Sequence, residues 1–346
     1  MLLETKNKIE RALPAFLRHL DKSYSLSKTS PVLFRQISDF VLRKGKRVRP
    51  LLFIVGYRGF ADSDPRGLYT SALSLELLHD FMLVHDDIID KSDTRRGKPA
   101  MHRMLNDYLS GYKIVKFSGE DLGIVAGDIM YAMGIHAFLS VDRDARHKER
   151  ALKKLVEAAI YTGSGEFIEL LLGLKDIAQI TKEDIYKIYD LKTAYYTFAA
   201  PLGMGAALAG ADDGQVNKLV KYGTYLGRAF QIKDDVLGMF SEEQKTGKSA
   251  LTDLQEGKKT VLIWYGYNNS TGRDKLVIKR ILSKNKVTRA DLHKMRGLLT
   301  ASGALDYAKK EILRLINQAQ ALNLSSRMSG HYKNLLDIYS RELLAL

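Results

Sequence analysis

The stretch LYTSALSLELLHDFMLVHDDII, running from Leu68 to Ile89, decides the fold class. Leu73, Leu77, Leu78, Phe81, Val84 and Ile88 recur at the spacing that lines one side of an α-helix. Comparable patterns run through 122–140, 151–173, 183–209, 216–240, 288–298 and 303–322. The six prolines stand at 14, 31, 50, 65, 99 and 201, which leaves long uninterrupted tracts between 99 and 201 and beyond 201. Strand signals are poor, with few alternating Val/Ile/Thr runs. The expectation is an all-α fold, a single domain over 1–346 built as one bundle of about ten or more helices. Residues 268–287 and 323–331 read as polar connections. The segment Phe198–Ala209 is apolar around much of its circumference, which suits a core centre or a subunit interface.

Composition narrows the function. Hydrophobic residues make up 45% and charged residues 27% of the 346 positions, the balance of an ordinary globular protein. No uninterrupted apolar run approaches the roughly 20 residues that span a bilayer, and the first residues lack the apolar stretch of a secretory signal. Cysteine is absent, which excludes disulfides, thiolate zinc sites and cysteine nucleophiles. A cytoplasmic location is expected on that basis. The net charge of +14 is spread along the chain, with clusters at Lys44–Arg49, Arg95–Lys98 and Lys245–Lys259. No zinc finger, arginine-rich tail or recognition helix accompanies it, so small polyanionic substrates are expected rather than nucleic acid.

The acidic residues supply the counterpart. Asp86 and Asp90 are one helical turn apart on one face, about 6 Å from each other, and like charges there destabilise a helix unless a cation intervenes. Hard oxygen ligands in that arrangement suit Mg²⁺, which shares its shell with water and phosphate oxygens. Taken alone, an acidic triplet of Asp86, Asp87 and Asp90 is more often a solvated helix end. The apolar flank of Leu83, Val84, Ile88 and Ile89 instead puts it at the edge of a core. A second pair, Asp234-Asp235, interrupts another apolar helical pattern in GRAFQIKDDVLG, Gly227 to Gly238. Two such clusters suggest facing walls of one central cleft. Lys46, Arg47 and Arg49 form a compact cationic loop before a helix that starts near Pro50. His79 lies two turns before Asp86, Arg95 and Arg96 follow the acidic triplet, and Lys192-Thr193, Lys248 and Lys258 come later. Guanidinium groups suit fork-like phosphate binding and lysines supply point charge. So many cations suggest two diphosphates rather than one.

Leu78 to Asp90, followed by Thr94-Arg95-Arg96-Gly97, resembles the first Asp-rich motif of the trans-isoprenyl diphosphate synthases, and Gly227 to Gly238 resembles their second. Gly45 to Pro50, Ala126-Gly127-Asp128, Lys192-Thr193-Ala194, Gly247-Lys248 and Ser302 to Ala308 match further family elements in the same order. The resemblance spans roughly 40–310. Two departures stand out: Gly238 replaces the usual third Asp of the second motif, and Glu166 and Glu169 stand where Gln-x-x-Asp is common.

The resemblance implies an isoprenoid-synthase-type bundle that joins isopentenyl diphosphate to an allylic diphosphate. It implies about three Mg²⁺ held chiefly by Asp86, Asp90 and Asp234, with Asp87 and Asp235 as further metal-binding residues. Arg95, Lys192, Gln231, Lys248 and Lys258 would aid the allylic diphosphate. Isopentenyl diphosphate would sit on Lys46, Arg49, His79 and Arg96. Thr193 would shield the allylic cation, and Tyr195 and Tyr196 are further candidates for that task. Phe81 and Met82, five and four residues before Asp86, would set product length, because one helical turn of about 5.4 Å approximates one isoprene unit. The pattern resembles archaeal-type geranylgeranyl diphosphate synthases, with farnesyl or longer products as alternatives. A homodimer is expected, with at most transient membrane contact. A class I terpene cyclase and a non-catalytic subunit of a heteromeric synthase remain as rival readings.

Overall fold

The computed structural model describes residues 2–240 and 254–344, so Lys248 lies outside the described residues. Two compact units emerge: residues 1–152 with 204–210, and residues 153–203 with 211–346.

The first unit contains α1 (Leu2–Tyr24), α2 (Leu26–Thr29), α3 (Pro31–Val41), α4 (Val48–Arg58), α5 (Leu68–Ile89), α6 (Met101–Leu109) and α7 (Gly119–Leu139). Its core is built around α5, whose Leu73, Leu77, Leu83 and Val84 join Leu13 and Phe16 of α1, Phe40 of α3, Leu105 of α6 and Met130 of α7. Removing such side chains from water is the main drive for this packing, about 25 cal/mol per Å² of apolar surface. Of the six periodic positions in α5, Leu73, Leu77, Leu78 and Val84 are buried, while Phe81 and Ile88 are half-buried. Helix α7 is long and apolar enough to cross a bilayer by length and composition. Its Ala126, Met130, Met133 and Ala137 are core residues of this unit. Between α5 and α6 the chain makes a minimal hairpin, β1 (Thr94–Arg95) and β2 (Lys98–Pro99), with Arg95 opposite Lys98.

Helix α8 (Ala145–Gly173) contributes residues to both units. The second unit continues with α9 (Lys182–Ile188), a π-helix (Tyr189–Ala199) that runs into α10 (Ala200–Ala209), whose residues divide between the two units, and α11 (Asp213–Phe240). After the undescribed segment come α12 (Val261–Asn268), α13 (Gly272–Leu282), α14 (Arg289–Ala301), α15 (Ala304–Leu324) and α16 (Gly330–Leu344). The fold is all-α apart from the two-residue strand pair among the described residues. Residues 198–208 are buried throughout, as their uniformly apolar sequence anticipates.

Two expectations need correction. Residues 268–287 are not simply a connection, because they contain α13. Thr271 caps that helix by accepting from the Asp274 N–H, and Ile278 and Ile281 are its buried apolar positions, too few to register as periodicity. The pattern over 183–209 is not one α-helix either. Its middle is π-helical, and the Ala200 N–H bonds the Tyr195 carbonyl five residues back.

Candidate active site

The Asp-rich end of α5 is fixed by its C-terminal cap. Asp90 is the C-cap, and Lys91 follows in the left-handed region at φ 53°. The Ser92 N–H bonds the Asp87 carbonyl at 2.8 Å and the Lys91 N–H bonds the Ile88 carbonyl at 3.3 Å. These are the two bonds of a Schellman motif, with lysine where glycine is the usual choice. The three aspartates then diverge. Asp86 and Asp90 are half-exposed, whereas Asp87 is fully buried and receives Arg95, whose Nε lies 2.8 Å from Oδ1. The last turn of α5 carries no basic residue. Carboxylates there sit at the negative end of the helix dipole, a placement that a bound cation would offset. Among the described residues no three His, Asp or Glu side chains gather into a ready metal cage. An oxygen-only pair fits Mg²⁺, which fills most of its shell with water and substrate oxygens.

The cationic loop before α4 divides in the same manner. Lys46 is exposed and Arg49 half-buried, but Arg47 adopts φ 53° and turns its side chain fully inward. Its guanidinium meets Glu10 at 2.9 Å, Glu76 at 2.5 Å, the Arg43 carbonyl at 2.8 Å and the Val41 carbonyl at 3.3 Å. Arg43 is also buried, and it bonds the carbonyls of Arg95 and Pro99 at 3.1 and 3.0 Å. It thereby bolts the hairpin that carries Arg95 and Arg96 to α3. Arg96 reaches α5 and lies 3.3 Å from Glu76 and 3.1 Å from Asp80. His79 is half-buried, and burial together with the charges of Arg49, Arg96, Arg95 and Arg47 drives its pKa well below the ordinary imidazole value. A neutral imidazole is therefore presented, able to donate one N–H without adding charge. Phe81 is half-buried, its ring 4.7 Å from His85 and 5.4 Å from Tyr131 of α7.

In the second unit the π-helix positions Lys192 and Thr193. It is approached closely from two sides: a Cβ on Gly165 of α8 would lie 2.6 Å from the Lys192 nitrogen, and one on Gly227 of α11 would lie 2.3 Å from Ala194. Only glycine permits those contacts. Lys192 sits between Glu166 and Glu169, with the second at 2.5 Å. Thr193 donates to Gln231 at 2.8 Å, and Gln231 donates to Asp235 at 3.0 Å. Asp235 also receives the hydroxyl of buried Tyr189, which in turn accepts from the Val261 N–H at 3.0 Å. Burial and then Asp235 push the Tyr189 hydroxyl well above its ordinary pKa, so it stays a donor. Asp234, by contrast, is exposed. Arg228 pairs with Asp190 through two 2.5 Å bonds, locking α11 to the π-helix. Lys258 is half-buried and lies 2.6 Å from Glu256. Tyr195 is engaged with Glu157 and stacked edge-on against Tyr161, a packing role.

The first unit thus gathers Asp86, Asp90, Arg95, Arg96, Lys46, Arg49 and His79 with their supports, and the second gathers Lys192, Thr193, Gln231, Asp234 and Asp235. Arg43, Arg47, Glu76, Asp80 and Tyr189 were not anticipated as supports. Glu76, Asp80 and Asp87 do share one stripe of α5 at i, i+4 and i+11, and that acidic stripe in an apolar helix was the available signal.

Known proteins give the same outline. The profile of the polyprenyl synthetase family matches residues 31–299. A geranylgeranyl diphosphate synthase from Sulfolobus acidocaldarius is 30% identical over 91% of this chain and 86% of its own length. A geranylfarnesyl diphosphate synthase from Aeropyrum pernix is 33% identical over 87% of this chain and 88% of its own. A crystal structure of geranylgeranyl pyrophosphate synthase from Corynebacterium glutamicum, complexed with isoprenyl diphosphate and magnesium, superposes with a TM-score of 0.89 at 26% identity, covering 100% of this chain and 99% of that one. With paired aspartates on two helices, a cationic loop and hairpin beside the first, and a match over most of its length, the chain belongs to the polyprenyl synthetase family.

Proposed function

We propose that this protein condenses isopentenyl diphosphate with an allylic diphosphate, head to tail, with geranylgeranyl diphosphate as the main product. The observation that carries this reading is the division of labour within each acidic motif. Asp86, Asp90 and Asp234 face outward, while Asp87 and Asp235 are held by Arg95 and by Tyr189 with Gln231.

Asp86, Asp90 and Asp234 are the residues that would hold Mg²⁺, about three ions on the allylic diphosphate. Magnesium, when bound, supplies positive charge that stabilises the departing diphosphate. Asp87 and Asp235 act in this reading as supports rather than direct ligands. Arg95, Lys192, Gln231, Lys248 and Lys258 complete the allylic site, and Lys46, Arg49, neutral His79 and Arg96 take the diphosphate of the second substrate. Heterolysis of the allylic C–O bond gives diphosphate and an allylic cation. The double bond of isopentenyl diphosphate attacks that cation, a C–C bond forms, and a proton leaves to the departed diphosphate. The protein contributes orientation, a fixed cationic field and exclusion of water, not a nucleophile. Thr193, hydrogen-bonded to Gln231, would shield the cation.

A homodimer in the cytoplasm, with at most transient membrane contact and no nucleic-acid partner, accompanies this reading. Incubation with Mg²⁺, labelled isopentenyl diphosphate and dimethylallyl, geranyl or farnesyl diphosphate tests it. Elongation to a C20 product is expected, and no elongation from any primer overturns it. Product length adds a sharper expectation, since Phe81 and Met82 precede Asp86 on α5. Phe81→Ala removes the ring that rests on His85 and Tyr131, so products should lengthen by about one or two isoprene units, each about one helical turn. Mass analysis of the products checks this, and an unchanged distribution excludes Phe81 as the floor. The geranylfarnesyl-forming relative makes C25 the natural alternative for the wild type.

A further inference from the structure

Arg96 sits in an unfavourable backbone conformation. It and Gly97 are the two residues joining β1 to β2, both at positive φ (54° and 73°), a turn in which Asn, Asp or Gly is preferred at the first position. An arginine is held there by what its side chain meets. Nη2 lies 3.3 Å from Glu76 Oε1 and 3.1 Å from Asp80 Oδ1. Glu76 is shared, because Arg47 takes the same oxygen at 2.5 Å. Asp80 is different. It is fully buried, its Oδ1 faces Nη2 out of line for a hydrogen bond, and its Oδ2 meets no donor among the described residues. Nη1 of Arg96 is likewise buried with no acceptor among the described residues. The guanidinium is therefore gripped through Nη2, while 16% of the side chain stays accessible.

We propose that Asp80, together with Glu76, is a positioning residue for isopentenyl diphosphate: the two carboxyls hold the Arg96 guanidinium on α5 so that the accessible part of the side chain meets the incoming diphosphate. This rests on the reading of Arg96 as a ligand of that substrate. It has a charge consequence. A neutral Asp80 orients Arg96 without competing for it, whereas an ionised Asp80 contends with the diphosphate for the same cation. Burial, opposed by Arg96 and reinforced by Glu76, pushes the Asp80 carboxyl up to about 8. The charged and titratable groups around it are Arg95 and Arg96 from the hairpin and Arg47 and Arg49 from the loop and α4. Glu76, His79 and Asp87 lie on α5 itself, and Glu10 of α1 stands behind Arg47. His79 remains neutral over this interval, so the change of charge falls on Asp80.

The test is the KM for isopentenyl diphosphate, with kcat and the allylic KM alongside, at about pH 7 and about pH 9. In the wild type this KM should rise about tenfold from about pH 7 to about pH 9, with little change in the allylic KM. Asp80→Asn, permanently neutral, should change no more than about twofold. An Asp80→Asn variant that tracks the wild type overturns the proposal. Should that variant fold poorly, titration calorimetry of isopentenyl diphosphate into wild type near pH 8.5, in buffers of different ionisation heat, decides the matter. Proton uptake of a substantial fraction of one equivalent supports the proposal, and none overturns it. Arg96→Ala separates the two levels. If it leaves the isopentenyl diphosphate KM unchanged, the assignment of Arg96 fails; if it raises that KM while Asp80→Asn tracks wild type, only the role of Asp80 fails.

Discussion

Asp86→Ala should lower kcat/KM by at least about a thousandfold while leaving thermal stability unchanged or slightly raised, a loss of about 4 kcal/mol in transition-state stabilisation. The two halves of this expectation come from one placement. Asp86 and Asp90 lie at the end of α5, whose last turn carries no basic residue and where the helix dipole is negative. Removing one carboxylate relieves like-charge repulsion of a few tenths of a kcal/mol. It also removes an oxygen ligand that the proposed Mg²⁺ requires. Asp87→Ala should behave differently, because that carboxylate is buried against Arg95. Its loss strands a half-buried guanidinium and should cost stability of about 3 kcal/mol as well as activity. Steady-state assays with labelled isopentenyl diphosphate, run beside thermal melts, check both variants. Activity within tenfold of wild type for Asp86→Ala, or a melt lowered by several degrees, would contradict the assignment.

The fold was legible where burial leaves a period in the sequence. Leu73, Leu77 and Val84 announced α5, and the long helices after Pro99 followed by the same reasoning. What stayed hidden depends on information that period cannot carry. The π-helix of Tyr189–Ala199 differs from an α-helix by one step in hydrogen-bond partner, and its side-chain spacing still reads as helical. It follows from tertiary packing, with Gly165 and Gly227 admitting neighbours against the backbone at Lys192 and Ala194. Helix α13 was missed because Ile278 and Ile281 are its buried positions, and the exposed Leu276 and half-buried Val277 and Leu282 beside them blur the stripe. The acidic and basic residues of the site were legible as types in a pattern, but not by role. Within Asp86-Asp87 and Asp234-Asp235 sequence alone does not say which carboxylate faces outward. A cap at Lys91 and a hydroxyl from Tyr189 settle that in the folded chain. The same ambiguity covers Lys46, Arg47 and Arg49, three cations within four residues that the structure sends to different environments.

Arg47 accordingly carries the largest expected effect on stability. Its guanidinium is fully buried and answers two carboxylates and two carbonyls contributed by α1, α3, the loop that follows it and α5. Burying a guanidinium is unfavourable in itself and is sustained by those four acceptors together. Arg47→Met keeps much of the volume and deletes the charge, which leaves Glu76, 2% exposed, with Arg96 as its remaining cation at 3.3 Å. The expected loss is about 3–5 kcal/mol, or roughly 5–10 °C in the melting temperature of a chain this long. Lys46→Met, one residue away and exposed, should change stability by less than about 0.5 kcal/mol. Much of the Arg47 penalty is the cost of the stranded glutamate, so Arg47→Met combined with Glu76→Gln should recover about 1–2 kcal/mol of it. Denaturant titration of the three variants measures each quantity. Equal, small losses for Arg47→Met and Lys46→Met would mean that the loop's cations are all solvated, and that the inward turn at Arg47 does not hold in solution. A large loss with no recovery in the double variant would place the energy in the carbonyl contacts of Val41 and Arg43 rather than in the ion pair.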